Sequence, residues 1–274
     1  MGEISIDPKF NIHETYKKVR ILNPYRNGNA GGGGGVDSDY QGVLDYAAGN
    51  FIDLPDAAQQ DIDNQRMLDY KNSGVYAKAD VLLNMEGGAS TEFRRIDWKR
   101  KIQVSEIGST TITFDGIKPN SNSYWNLLYN PSTDGINYSL NDAGVLYYLT
   151  ENPEGIYFTF GALDDTNYQI SVMGNRPGQT NVYAVNDNNL SNDVLQKIGM
   201  NGIHRIDTTS LKFITDITNN FTTSSGNIPN GNVFLFCRNS DGSPNLLGQP
   251  RMKHFAIGAN MEVEQANLKA IIEV

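Results

Sequence analysis

The spacing of apolar and polar positions changes character along this chain. Over residues 1–52 apolar groups are scattered and several alternate, with Ile4, Ile6, Phe10, Ile12 and Tyr16 the main ones. Asp7-Pro8, Asn23-Pro24, Asn27-Gly28-Asn29 and the run Gly31 to Gly35 interrupt them. An extended arm fits this pattern. It cannot bury its own apolar groups, so it is expected to dock on a partner through those five residues. The glycine run reads equally as a flexible linker. From residue 53 the pattern turns helical. Asp56 can cap a helix starting at Ala57 and running to a stop at Gly74. A second helical piece over Val75–Met85 would place Val75, Ala79, Leu82 and Leu83 on one face, ended by Gly87-Gly88.

Thereafter the period is two. Ser109–Asp115 alternates with Ile112 and Phe114 on one side, and apolar stretches recur near 145, 156, 168, 181, 203, 211, 233 and 251. The basic run Arg94–Lys101 reads as a strand with one solvated face, in preference to a phosphate site. Asp241-Gly242 suits a turn needing positive φ, and the stretch after Gly258 suits a short amphipathic helix. Strands at short intervals with turn chemistry between them, and no βαβ alternation, predict an all-β sandwich or barrel.

Composition narrows the function classes. A net charge of −9 argues against nucleic-acid binding, which needs basic clusters. The single cysteine, Cys237, excludes an intrachain disulfide and lies in an apolar run, where it reads as a small hydrophobe. The start, Met1-Gly-Glu-Ile-Ser-Ile, has neither the basic nor the apolar segment of a signal peptide, and no apolar run is long enough to cross a bilayer. The expectation is a chain made in a cytoplasm, without membrane insertion.

Two stretches resemble concanavalin A-like (laminin-G-like) jelly rolls of phage fibre and decoration proteins. One is the ordered set Ala58, Ile62, Leu68, Asp69, Lys71, Gly74, Val75, Tyr76, Lys78 and Gly87-Gly88-Ala89, with Tyr76 where that family carries Trp. The other is the closing order of strand, Asp241-Gly242 turn, strand Arg251-Met-Lys-His-Phe-Ala-Ile-Gly and terminal helix. The resemblance implies an all-β, concanavalin A-like jelly-roll sandwich with a short helical lead-in over residues 53–274, preceded by the extended N-terminal arm over 1–52. It further implies a virion protein of a tailed phage: a head fibre, capsid decoration or tail appendage. Its arm would bind other virion proteins (capsid, portal or tail), and its sandwich would associate as a homo-oligomer, a trimer first, and meet host surface glycans. A carbohydrate-active enzyme (a depolymerase) on the same fold, or a structural joint between virion parts, are the other readings.

Catalysis has no sequence signature here. Retaining glycanases of this fold carry Glu-x-Asp-x-x-Glu on one strand, and that spacing does not occur. Glu262 and Glu264 read as first-turn helix acids. The expectation is therefore no enzyme and no cofactor, with calcium the one metal left open, through Asp164, Asp165, Asn167 and Asp187 in polar loops. For a sugar, the aromatic and amide groups of Tyr124, Trp125, Asn126 and Tyr183 are the candidates.

Overall fold

The computed structural model describes residues 35–151, 157–174, 181–187, 190–192 and 195–273. The arm residues Ile4, Ile6, Phe10, Ile12 and Tyr16 lie outside them. Helix α1 spans Ser38–Gly49, α2 Ala57–Ser73 and α3 Val75–Lys78; strand β1 follows at Ala79–Asn84 and the single turn α4 at Thr91–Arg94. Then come β2 (Ile96–Asp97), β3 (Ile102–Gln103), β4 (Ser105–Ile107), β5 (Thr110–Thr113), β6 (Gly116–Pro119), β7 (Tyr124–Asn126) and the turn α5 (Pro131–Asp134). Long strands follow: β8 (Ala143–Glu151), β9 (Tyr157–Leu163), β10 (Gln169–Gly174), β11 (Asn181–Asp187), β12 (Leu190–Asn192), β13 (Gly199–Arg205), β14 (Ser210–Ile214) and β15 (Thr218–Thr222). The chain closes with β16 (Phe234–Leu235), β17 (Arg238–Ser240), β18 (Ser243–Asn245), β19 (Arg251–Gly258) and α6 (Glu262–Ile272).

Among the described residues the strands form two curled sheets, as the sequence predicts, and a separate two-stranded ladder of β2 and β3. The first runs β15-β14-β13-β8-β19-β6-β5, with β1 also paired to β19. The second runs β12-β11-β10-β9-β16-β7-β4 and carries the β17–β18 hairpin on β9. Their facing sides interleave into one core. Val81, Val145, Tyr147, Ile203, Phe213, Phe255 and Ile257 come from the first sheet, and Trp125, Phe160, Ile170, Val172, Tyr183 and Leu235 from the second. Alternating inward positions on both sheets, interrupted by register shifts along β1, β10 and β19, make this an all-β jelly-roll sandwich.

The other side of the first sheet is not solvated. Leu82, Leu146, Met200 and Ala256 point there and pack with Tyr40, Val43, Met67, Tyr70, Val75, Trp98 and Leu268. Helices α1, α2 and α6 thus form a third layer. The Asp56 side chain accepts from Gln59 N–H at the start of α2, and Gly74 ends it at φ +87°. Both signals were legible in the sequence.

Three expectations change. The compact unit begins at Asp37, because α1 lies inside the span assigned to the arm. The Asp37 carboxylate caps α1, and Tyr40, Val43, Leu44 and Ala47, at helical spacing, are buried. The second helical piece stops at Lys78: Val81-Leu82-Leu83 satisfies both a helical and a two-faced strand pattern, and pairing with β19 selects the strand. The basic run is no single strand, since Arg94 closes α4 and its side chain is fully buried against Asp63 at 2.9 Å.

Candidate functional site

Among the described residues no helix packs on the outer side of the second sheet. Its side chains are set by strand alternation: where Trp125, Leu235, Phe160 and Val172 point inward, their neighbours point out. Register places Asn126 beside Phe234, Phe234 beside Gly161, and Gly161 beside Ser171. On this row the Tyr124 and Phe234 rings stack at 4.9 Å and 29°. Phe234 is buried beneath, while Tyr124 and Asn126 are part-buried. Burial and the neighbouring Cys237 raise the Tyr124 pKa, so the phenol is neutral and can donate.

Beside the ring stack lies Arg238, delivered by the chain's sharp turn at Phe236, which has φ +68°. Its stem crosses Gly161, where a Cβ would come 3.0 Å from the arginine Cγ, so a side chain there would push it off the sheet. The guanidinium carbon stands 4.2 Å from the centroid of the Phe158 ring, and Nη1 donates to Gln169 Oε1 at 2.9 Å. Ser171 Oγ donates to the same oxygen at 2.9 Å. Phe158 and Met173 form a small apolar floor. The face therefore offers a ring to stack on, an amide, a phenol and a fixed guanidinium. That is equipment for holding a polar ligand with apolar patches, such as a sugar ring.

The structure brings Tyr124 and Asn126 together on this face and sends Trp125 and Tyr183 into the sandwich core, both fully buried. Trp125 sits in β7 rather than a polar loop, and one residue of shift in a strand changes its face. Phe158, Gln169, Phe234 and Arg238 were not singled out from sequence. The one available signal was Arg238 itself, a cation directly after the apolar run ending in Cys237. That thiol is buried and its pKa pushed up to about 12, so it is no nucleophile at neutral pH.

The acidic loops do other work. Asp164 Oδ1 accepts from Thr166 N and Tyr168 N, both at 3.0 Å, and pins a turn. Asp187 pairs with the buried Arg205 and with Thr223. Asp165 and Asn167 are exposed in that same turn. Among the described residues no group of three or more His, Cys, Asp or Glu could hold a metal ion. A second polar cluster, unread in the sequence, lies between α2 and the first sheet. Arg66 bridges Asp69 and Glu86 at 3.1 and 2.9 Å, and His254 Nδ1 meets Tyr70 Oη at 2.8 Å. It is buried and fastens helix to sheet.

No protein-family model matches the sequence, and no curated protein matches it. The fold is similar to solved structures at low identity. Domain 4 of AbnA, a GH43 extracellular arabinanase from Geobacillus stearothermophilus in complex with arabinotriose, is 14% identical over 70% of this chain and 98% of that one, with a TM-score of 0.44. A mutant of Trypanosoma rangeli sialidase displaying trans-sialidase activity is 11% identical over 78% of this chain, with a TM-score of 0.46. The T. rangeli sialidase in complex with 2,3-difluorosialic acid is 10% identical over 79%, with a TM-score of 0.44. The chain spans only 39% and 40% of those two sialidases. These neighbours overturn one expectation, that the chain is no enzyme. Glycoside hydrolases are among the structures it is similar to, and the missing Glu-x-Asp-x-x-Glu spacing does not decide the matter.

Proposed function

We propose that this chain is a carbohydrate-engaging β-sandwich whose working surface is the outer side of the second sheet. The observation that carries the reading is the asymmetry of the molecule. Helices cover the first sheet, while the second presents Tyr124 stacked on Phe234 beside Asn126 and Arg238. A sugar's C–H face stacks on a ring, and its hydroxyls pair with amide and guanidinium groups.

The setting we propose is a tailed-phage virion, as a head fibre, decoration or tail appendage held by the segment before Asp37. The likeness of Ala58 to Ala89 and of the closing strands to phage modules supports that setting. Copies arrayed on a particle would gain avidity from weak single sites.

A saccharide panel tests the reading. Full-length protein is titrated by calorimetry, and the same mixtures are assayed for new reducing ends. Binding is expected, weakened at least tenfold in Tyr124→Ala and unchanged in Val263→Ala on the opposite, helical side. New reducing ends would assign the depolymerase reading. No binding by any saccharide would refute the glycan reading and leave a structural joint. The virion setting has its own assay, sedimentation with virions lacking the protein. The full chain should co-sediment, and Asp37–Val274 alone should not.

A further inference from the structure

Arginines among the described residues come, with one exception, with carboxylates. Arg66 pairs with Asp69 and Glu86, Arg94 with Asp63, Arg95 with Glu106, Arg100 with Asp97, Arg205 with Asp187 and Arg251 with Glu151. Among the described arginines Arg238 alone has no acidic partner, in a chain with nine more acids than bases. Scarcity of carboxylates does not explain that.

Nor is Arg238 a loose surface side chain. Its stem is seated on Gly161, its plane rests on Phe158, and Gln169 holds Nη1. Its Nε is buried and has no hydrogen-bond partner. With Nη1 held by Gln169 and Nε buried, Nη2 is the nitrogen left to reach a ligand, and it can donate to a carboxylate oxygen. Cross-strand register puts Gly161, and so the arginine stem, next to Phe234 and the Tyr124 ring stacked on it. A pyranose lying on Tyr124 would carry an acid substituent toward that nitrogen.

We infer that the ligand of this face is an acidic saccharide, whose carboxylate pairs with the guanidinium of Arg238 through Nη2. This deepens the glycan reading and rests on it. Burial without a counter-charge disfavours the guanidinium's charged form, and a bound carboxylate would supply the missing charge. The carboxylate could come from a uronic or a sialic acid; the chemistry at the guanidinium is the same.

The test uses full-length protein and a panel of uronate- and sialate-containing oligosaccharides, each beside its own methyl ester, with a sulfated galactan oligomer as a further arm. At least one acid should bind ten times or more tighter than its ester, and rising salt should erode the difference. Arg238→Gln should abolish that preference, and Arg238→Lys should keep part of it, since the charge stays and the planar group seated on Phe158 is lost. Acid and ester binding alike, or a preference that survives Arg238→Gln, would overturn the inference while the glycan reading stands. Binding of the sulfated oligomer alone would replace the carboxylate by a sulfate. If no saccharide binds, neutral or acidic, both fall together. The acid–ester comparison needs no variant, so misfolding of Arg238→Gln would not obscure the answer.

Discussion

His204 is fully buried on β13, and its Nε2 meets Gln265 Oε1 of α6 at 2.9 Å. Met261 N–H points at Nδ1 from 3.4 Å, so Nδ1 must accept and the ring is neutral. Burial lowers its pKa from 6.5 to about 4. The unfolded chain therefore takes up a proton first as pH falls. This group's contribution is complete above about pH 6.5 and is lost on descending to about pH 4, a loss of about 3 kcal/mol. Urea denaturation between those limits should show a steeper loss in the wild type than in His204→Gln; parallel slopes would refute the assignment. At this scale the sequence is readable where a residue acts on its own backbone. Asp56 and Gly74 bound α2 as expected, and Asp241-Gly242 turns with φ of +49° and +83°. It is silent where a side chain answers one far along the chain. Arg94 finds Asp63 across 31 positions and Arg238 finds Gln169 across 69, so no local pattern marks either.

Elements fit together here by close backbone approach. Gly258, at the end of β19, lies against the joint of α3 and β1. A Cβ there would collide with the Lys78 carbonyl oxygen and stand 2.8 Å from Ala79 Cα. Backbone cannot swing aside as a side chain can, so Gly258→Ala should cost about 2 kcal/mol or more. Gly49, the last residue of α1, has open space around its Cβ position, and Gly49→Ala should stabilise by about 0.5 kcal/mol. Paired thermal melts should move in opposite directions; a Gly258→Ala melt at or above wild type would contradict the packing. The joint is also where sequence reading erred. Val75–Met85 supports either period, and only its partner β19, far away in sequence, makes the second half a strand. Strand existence and alternation were legible through β8 to β11, because each strand's inward set is written in its own residues; β5 stops at Thr113, and Phe114, read as sharing a face with Ile112, is exposed.

The body from Asp37 on has three layers, and its helical layer reaches into the span read as an arm. Tyr40, Val43, Leu44 and Ala47 of α1 cover Met67, Tyr70 and Trp98. A chain beginning at Asp53 should thus lose on the order of 5 kcal/mol relative to one beginning at Asp37. Equal denaturation midpoints would show that α1 is dispensable. The neighbouring glycines hid this helix from a reading by composition. The layering has a further consequence. Asp37 caps α1 and Glu273 follows α6, so both ends of the described body emerge from its helical back. A probe attached at Asp37 or Glu273 would therefore sit on the side of this body opposite Tyr124 and Arg238.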